Sequence, residues 1–240
     1  MSKRYKAKTC TYCAVTGISA TGDHVFAREF FPIDKRHNLP QVPACERCNN
    51  EKAKLEHYLT AVLPFGAQHA DAHQVLNEMV EPRLARNVKL QKELSAGQES
   101  VWERRGGLLA PAMRLPFQAD RLETLAALWA RGLALHHFGV VIPGDHHVMA
   151  SMMTGVGDAL FRAQLLAKNG NRITQSIGGA FEYEGLQGVQ DAYVTAWRIA
   201  AYGGVRLGGD PSAPNEDARH IWVVSSRSDA LAKLLEREPA

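Results

Sequence analysis

Cysteine is scarce in this 240-residue chain, with four in all, too few for a disulfide-dense secreted scaffold. No apolar run is suited to spanning a bilayer: windows such as Leu122 to Leu135 are too short and carry Glu123 and Arg131. The basic opening, Met1 to Lys8, is followed by no apolar core, so no secretory signal is read there and a soluble cytoplasmic protein is expected. No repeat or low-complexity stretch is evident, which excludes solenoid and fibrous architectures. A phosphate loop is also missing: Thr154-Gly155-Val156-Gly157 is short of glycine and lacks the Lys-Ser/Thr pair that would open the next helix. A strong excess of one charge is lacking too, since the net charge is +3. Residues 1–60 nevertheless hold ten Lys/Arg against six Asp/Glu, and the remainder is slightly acidic. A basic N-terminal segment suits a polyanion, or is a solvated tail built from Lys3, Arg4, Lys6 and Lys8.

What is present is an apolar fraction of 45%, enough for a packed core in one large domain or two modest ones. The four cysteines fall into two pairs, Cys10-Thr-Tyr-Cys13 and Cys45-Glu-Arg-Cys48. Each C-x2-C spacing lets a tight knuckle present two thiolates to one tetrahedral ion, and two knuckles complete a closed structural zinc site. Two disulfides are the alternative, disfavoured by the cytoplasmic expectation and the matched spacings. The spacer, residues 14–44, is longer than in a plain zinc ribbon, so something further must be built inside it.

Inside the spacer lies Gly22-Asp23-His24-Val25-Phe26-Ala27-Arg28, then His37-Asn38-Leu39-Pro40. Directly after the second knuckle comes Asn49-Asn50-Glu51-Lys52. Over residues 8–60 the chain resembles the HNH endonuclease family, with its D-H pair on a hairpin strand, a central Asn, and a C-x-x-C-[HN]-x-x-K segment opening a helix. The resemblance implies a zinc-braced ββα-metal domain. In it Asp23 and Asn49 hold a catalytic divalent ion, His24 is the general base, and Asn38 orients the His24 ring by a hydrogen bond. Arg28 and Lys52 are candidate phosphate contacts. One carboxylate and one amide oxygen suit a hard ion, Mg²⁺ or Mn²⁺. The family's helix position is often His, where this chain has Asn49, with Asn50 beside it; either Asn is also a plausible helix cap. Glu56 and His57, about two turns further on, either lie over the metal or face solvent.

Beyond this region Leu55, Tyr58, Leu59 and Val62 keep helical spacing until Pro64-Phe65-Gly66 breaks it. A second helix is expected from Gln68 to about Met79, with His69 and His73 as partly exposed helix histidines rather than ligands. Glu81-Pro82 interrupts, and Leu84 to Leu94 continues as helix. A helix from Asp120 is predicted by the stripe Leu122, Leu125, Trp129, Leu133, with Gly139 as its stop. Val156 to Lys168 suits another helix. Strands are expected around Phe181 and Tyr183, Tyr193 to Ile199, Val205 to Leu207 and Ile221 to Val224, with turns at Gly203-Gly204 and Gly208-Gly209-Asp210. His136-His137 and His146-His147 lack enough neighbouring ligands to read as metal sites. Trp197 and Trp222 read as core rather than as base-stacking platforms.

The expected architecture is α+β: an HNH domain over 1–65, a helical connector over 66–107, and an α+β accessory domain over 108–240 with an antiparallel sheet. The expected activity is metal-dependent hydrolysis of nucleic-acid phosphodiesters, DNA by resemblance, with a homodimer or a protein partner as further possibilities. Two alternatives stay open at this level. One is a non-catalytic zinc module that binds nucleic acid or protein; the other is a nuclease switched on by a partner in a defence or mobile-element system.

Overall fold

In a computed structural model of the chain, residues 3–227 are described, apart from 68, 106 and 206–218. The fold mixes helices with three antiparallel sheets. The first sheet is a short hairpin, β1 (Thr21–His24) and β2 (Gln41–Ala44), followed at once by helix α1 (Glu46–Val62). Its apolar positions Tyr58, Leu59 and Val62 are buried as their spacing predicts, and the helix gives way at Leu63–Gly66 to a tight turn containing Pro64.

Helices α2 (Ala70–Val75) and α3 (Glu81–Arg86) are joined by a widened helical turn, Leu76–Val80. Proline lacks an N–H and crowds the preceding turn, and the five-residue widening directly before Pro82 accommodates it where a break was expected. The helix path therefore continues to Arg86 before α4 (Val88–Ala96). His69 is the N-cap of α2, its Nδ1 accepting from Asp71 N–H at 3.2 Å; Gln68 lies outside the described residues.

Next comes a hairpin, β3 (Glu99–Arg105) with β4 (Leu108–Arg114), in register Trp102 opposite Pro111. It straddles residue 107 and presents Trp102, Leu109 and Met113 outward. A strand here leaves little mark in the sequence, because neither face is buried enough to impose an apolar alternation.

Helix α5 (Ala119–Phe138) carries the fold's longest apolar stripe. Leu122, Leu125, Trp129 and Leu133 are fully buried, and Gly139 closes it in the left-handed conformation, φ 70°. The N–H groups of Gly139 and Val140 return to Leu135 and Ala134 carbonyls at 3.1 and 3.4 Å, satisfying the helix end.

The large sheet has the order β5-β9-β8-β7-β6, from β5 (His147–Met153), β6 (Gly170–Ile177), β7 (Phe181–Gly188), β8 (Thr195–Ala201) and β9 (His220–Ser226). Tyr193 precedes β8 rather than joining it. The strand and turn expected over Val205 to Leu207 and at Gly208-Gly209-Asp210 fall, beyond Val205, outside the described residues. One sheet face, with Tyr183, Trp197, Ile199 and Val223, is buried. On the other, α6 (Gly155–Leu166) is held by Asp158, whose two oxygens accept from Arg198 Nε and an Arg198 terminal N–H, each at 2.7 Å; Trp222 Nε1 also donates to it at 2.7 Å. Thr154 serves as N-cap of α6, its hydroxyl accepting from Gly157 N–H at 3.2 Å. Trp197 and Trp222 are thus packing residues, as their spacing predicts.

The residues just after His24 tie the small hairpin to this sheet. Phe26 stacks on Phe181 at 4.4 Å and meets Trp129 at 5.2 Å, while Phe30 lies edge-on to both. Tyr202 donates its hydroxyl to Phe30 O at 2.7 Å. Gly132 of α5 lets the chains approach: a Cβ there would lie 2.8 Å from the Val25 side chain. One apolar cluster therefore runs through the N-terminal hairpin, α1, α5 and the large sheet. Truncating Phe26 to Ala is expected to cost about 3–5 kcal/mol. In thermal melts of Phe26→Ala the N-terminal and sheet regions should lose stability together; independent melting of the two would show that the core is not shared energetically.

Candidate functional site

Both cysteine knuckles converge. The Sγ atoms of Cys10, Cys13, Cys45 and Cys48 lie within 4.8 Å of one another, and none is in a disulfide. A zinc ion with sulfur at about 2.3 Å sets tetrahedral sulfurs about 3.8 Å apart, so the cluster can close on one ion with modest contraction. Among the described residues it is the only cluster of three or more His, Cys, Asp or Glu side chains placed to hold a metal. The sulfurs also organise backbone: Cys45 N–H donates to Cys10 Sγ at 3.3 Å, and Cys48 N–H donates to Cys45 Sγ at 3.5 Å, capping α1. Burial, the neighbouring thiols and their hydrogen bonds push Cys48 up from the ordinary thiol range, and burial foremost raises Cys13. Cys10 is lowered, because backbone N–H donors outweigh its burial. A dication at the centre removes the repulsion among thiolates.

The D-H pair stands on β1, beside this centre. Register sets Asp23 opposite Val42 and His24 opposite Gln41. Cross-strand partners share a face and neighbours alternate, so Asp23 turns inward with the buried Val42 while His24 lies on the more open side. Asp23 Oδ2 accepts from Tyr12 Oη at 2.5 Å and forms an ion pair with Lys52 Nζ at 3.0 Å. Lys52 Nζ also donates to the His24 carbonyl at 2.8 Å and to Glu56 Oε1, and sits 5.9 Å from the Tyr12 ring centre. One ammonium thus fastens α1 to both residues of the pair.

Several expectations need correction. Lys52 is fully buried and committed to protein partners, so it braces the site rather than contacting phosphate. The hydrogen bond to the His24 ring comes from Gln41, Nε2 to Nε2 at 2.7 Å, not from Asn38. Asn38 instead occupies the left-handed region, φ 58°, in the exposed turn before β2, a conformation Asn tolerates well. The cap of α1 is Cys45, so Asn49 and Asn50 are not capping residues. Asn49 precedes Lys52 by three residues and therefore shares the helix face that meets Asp23. Glu56 does not face solvent: it is buried against Lys52, while His57 is exposed. Arg28 is exposed at the start of the turn after β1.

The histidine pairs elsewhere form no cluster with other ligand-type side chains among the described residues. His137 Nε2 meets Tyr183 Oη at 2.7 Å, and burial, then His136, lower it to about 4. His146 pairs with Asp145 at 3.0 Å.

No protein-family model, curated protein or solved structure matches the chain. The chemistry therefore has to be read from these side chains. Burial foremost, then the charges of Arg28 and Lys52, hold His24 below the usual histidine range against the pull of Asp23, so the imidazole is neutral at pH 7 and able to accept a proton. Burial and the opposing carboxylate keep the Tyr12 phenol protonated and hence a donor.

Tyr12 and Gln41 escaped the sequence reading, as did the pairing of Glu56 with Lys52. Only Glu56 left a usable signal, its i,i+4 spacing from Lys52; the other two depend on knuckle placement and strand register.

Two tests follow from this geometry. Treating the purified protein with a strong chelator, or Cys48→Ser, should release the knuckles and the cap of α1 together, read as loss of a metal ion such as zinc with a fall in thermal stability; an unchanged melt would contradict a structural role for such an ion. The second concerns Glu56, raised to about 7 by burial, with Lys52 opposing and Asp23 adding to the rise. The folded state holds this proton up to about pH 7, whereas the unfolded chain releases it near 4.5. Its contribution is full below about 4.5 and declines as pH rises through about 7. Glu56→Gln should accordingly gain on the order of 1 kcal/mol relative to the native chain between pH 5 and pH 8 in urea denaturation; a difference that is the same at both pH values would mean Glu56 is ionised throughout.

Proposed function

We propose that the chain is a metal-dependent nuclease of the HNH type, hydrolysing nucleic-acid phosphodiesters, with DNA as the substrate class. The observation that carries this reading is the joint anchoring of Asp23 and His24 by Lys52, from the helix that the second cysteine knuckle opens. A dyad so fixed, beside a four-cysteine centre, joins the parts that the sequence motif requires.

In this mechanism the neutral His24 imidazole takes a proton from the attacking water on the open side of β1. The Gln41 contact fixes the ring's orientation. The exposed Arg28 draws the phosphate toward the hairpin. Asp23 and Asn49 suit a hard divalent ion by their oxygen donors, and the Tyr12 hydrogen bond and the Lys52 ion pair both fall on Asp23 Oδ2. Bound there, Mg²⁺ or Mn²⁺ would supply Lewis acidity at the phosphate and relief of charge on the leaving oxygen. Contacts of this kind read backbone rather than base edges, so the reading entails salt-sensitive binding with modest sequence preference from this region. The zinc centre takes no part in the chemistry, since four thiolates leave no open position.

Plasmid cleavage with Mg²⁺ or Mn²⁺ tests the reading. His24→Ala, zinc-loaded and folded, should lose about 10²–10⁴-fold in rate, and native cleavage should fall on the acid side through a midpoint below 6.5, the ordinary histidine value from which His24 is lowered. Cleavage by neither protein, with zinc in place, would favour a binding module or a partner-dependent enzyme. Equal cleavage by both would remove His24 from the mechanism.

A further inference from the structure

The first cysteine knuckle reaches further than its sulfurs. Tyr12 lies between Cys10 and Cys13, and its side chain is buried. The knuckle backbone around it is pinned: Thr11 N–H donates to Pro43 O at 2.9 Å, Cys10 N–H to Val15 O at 3.0 Å, and Ala14 N–H to Cys10 O at 2.9 Å. The phenol therefore projects from a fixed base, and it ends on Asp23 Oδ2 at 2.5 Å.

Two groups from different elements meet at that oxygen, Tyr12 from the knuckle by a hydrogen bond and Lys52 from α1 by an ion pair. They do different work. An ammonium on a four-carbon stem is a point charge with rotatable donors and imposes little direction. A phenol on a rigid ring has one O–H and fixes where the acceptor lies. Lys52 thus supplies charge to Asp23, and Tyr12 supplies its orientation.

We propose that Tyr12 is a positioning residue through which the zinc knuckle sets the Asp23 carboxylate for the catalytic divalent ion. This rests on the nuclease reading above. The zinc centre and the catalytic site are then one mechanical unit: the ion that holds Cys10 and Cys13 in place also holds the hydroxyl that aims the metal-binding carboxylate. Hydrogen-bond donors behind a metal ligand commonly change affinity by about 10–100-fold when removed.

The test uses the full-length, zinc-loaded chain and Mn²⁺ alone as probe, with free Mn²⁺ read by electron paramagnetic resonance. Tyr12→Phe should keep its zinc and the circular dichroism of the native protein, yet bind Mn²⁺ about tenfold or more weakly. Asp23→Ala should lose Mn²⁺ binding altogether. Mn²⁺ affinity in Tyr12→Phe equal to that of the native chain, with Asp23→Ala still defective, would overturn the positioning role and leave the nuclease reading standing. Loss of zinc from Tyr12→Phe would also overturn it, since the hydroxyl would then be serving the fold of the knuckle. No Mn²⁺ binding by the native chain, or undiminished binding by Asp23→Ala, would overturn both.

Discussion

A fully buried ammonium is the constraint around which the N-terminal half of this protein is arranged. Lys52 has no access to solvent, and a charge so placed is stable only if hydrogen-bonded and neutralised at close range. It donates to Glu56 and to the His24 carbonyl and pairs with the Asp23 carboxylate at 3.0 Å. Satisfying that charge forces α1 against β1 in one register, and so brings the D-H pair to the helix that carries Asn49. Burial foremost, with the Asp23 carboxylate adding and Lys52 opposing, explains why Glu56 holds its proton to about pH 7.

Around this clasp two other devices fix the same elements. The four sulfurs draw the first knuckle onto the turn that starts α1. The aromatic residues after His24 plug into α5 and the five-stranded sheet. A short two-stranded hairpin is at best marginally stable alone. Here it is held at one end by the cysteine cluster, in the middle by a buried ion pair and at the other end by a shared core, which gives the rigidity a preorganised site needs. Expected as an accessory domain, the C-terminal region supplies part of that core. The buried aromatic contacts give the large sheet a definite structural part in holding the candidate site.

Much of this was legible in the sequence, for identifiable reasons. Elements with one strongly buried face announce themselves: the stripe of α5, the alternation Phe181, Tyr183 in β7, and Gly139 as a stop needing positive φ. The C-x2-C spacings fixed the cysteines as a cluster, because two thiolates on one tight knuckle have few other uses. The hairpin β3-β4 was not legible, being exposed on both faces, and the helix through Pro82 was misread because a widened turn can absorb what proline normally breaks.

For the site itself, the sequence determined which residue types were at hand: four thiols, an adjacent carboxylate and imidazole, and a lysine one turn after an asparagine. It could not determine their assignments. Lys52 turned from a surface cation into a buried brace, Asn38 from an orienting group into a turn former, and Gln41 and Tyr12 came into play, because each outcome depends on strand register and on which helix face meets the sheet. Local spacing sets what a residue can do within its own element; contacts between residues many positions apart, such as Tyr12 with Asp23 or Lys52 with His24, exist only once burial has chosen one packing of those elements over the others.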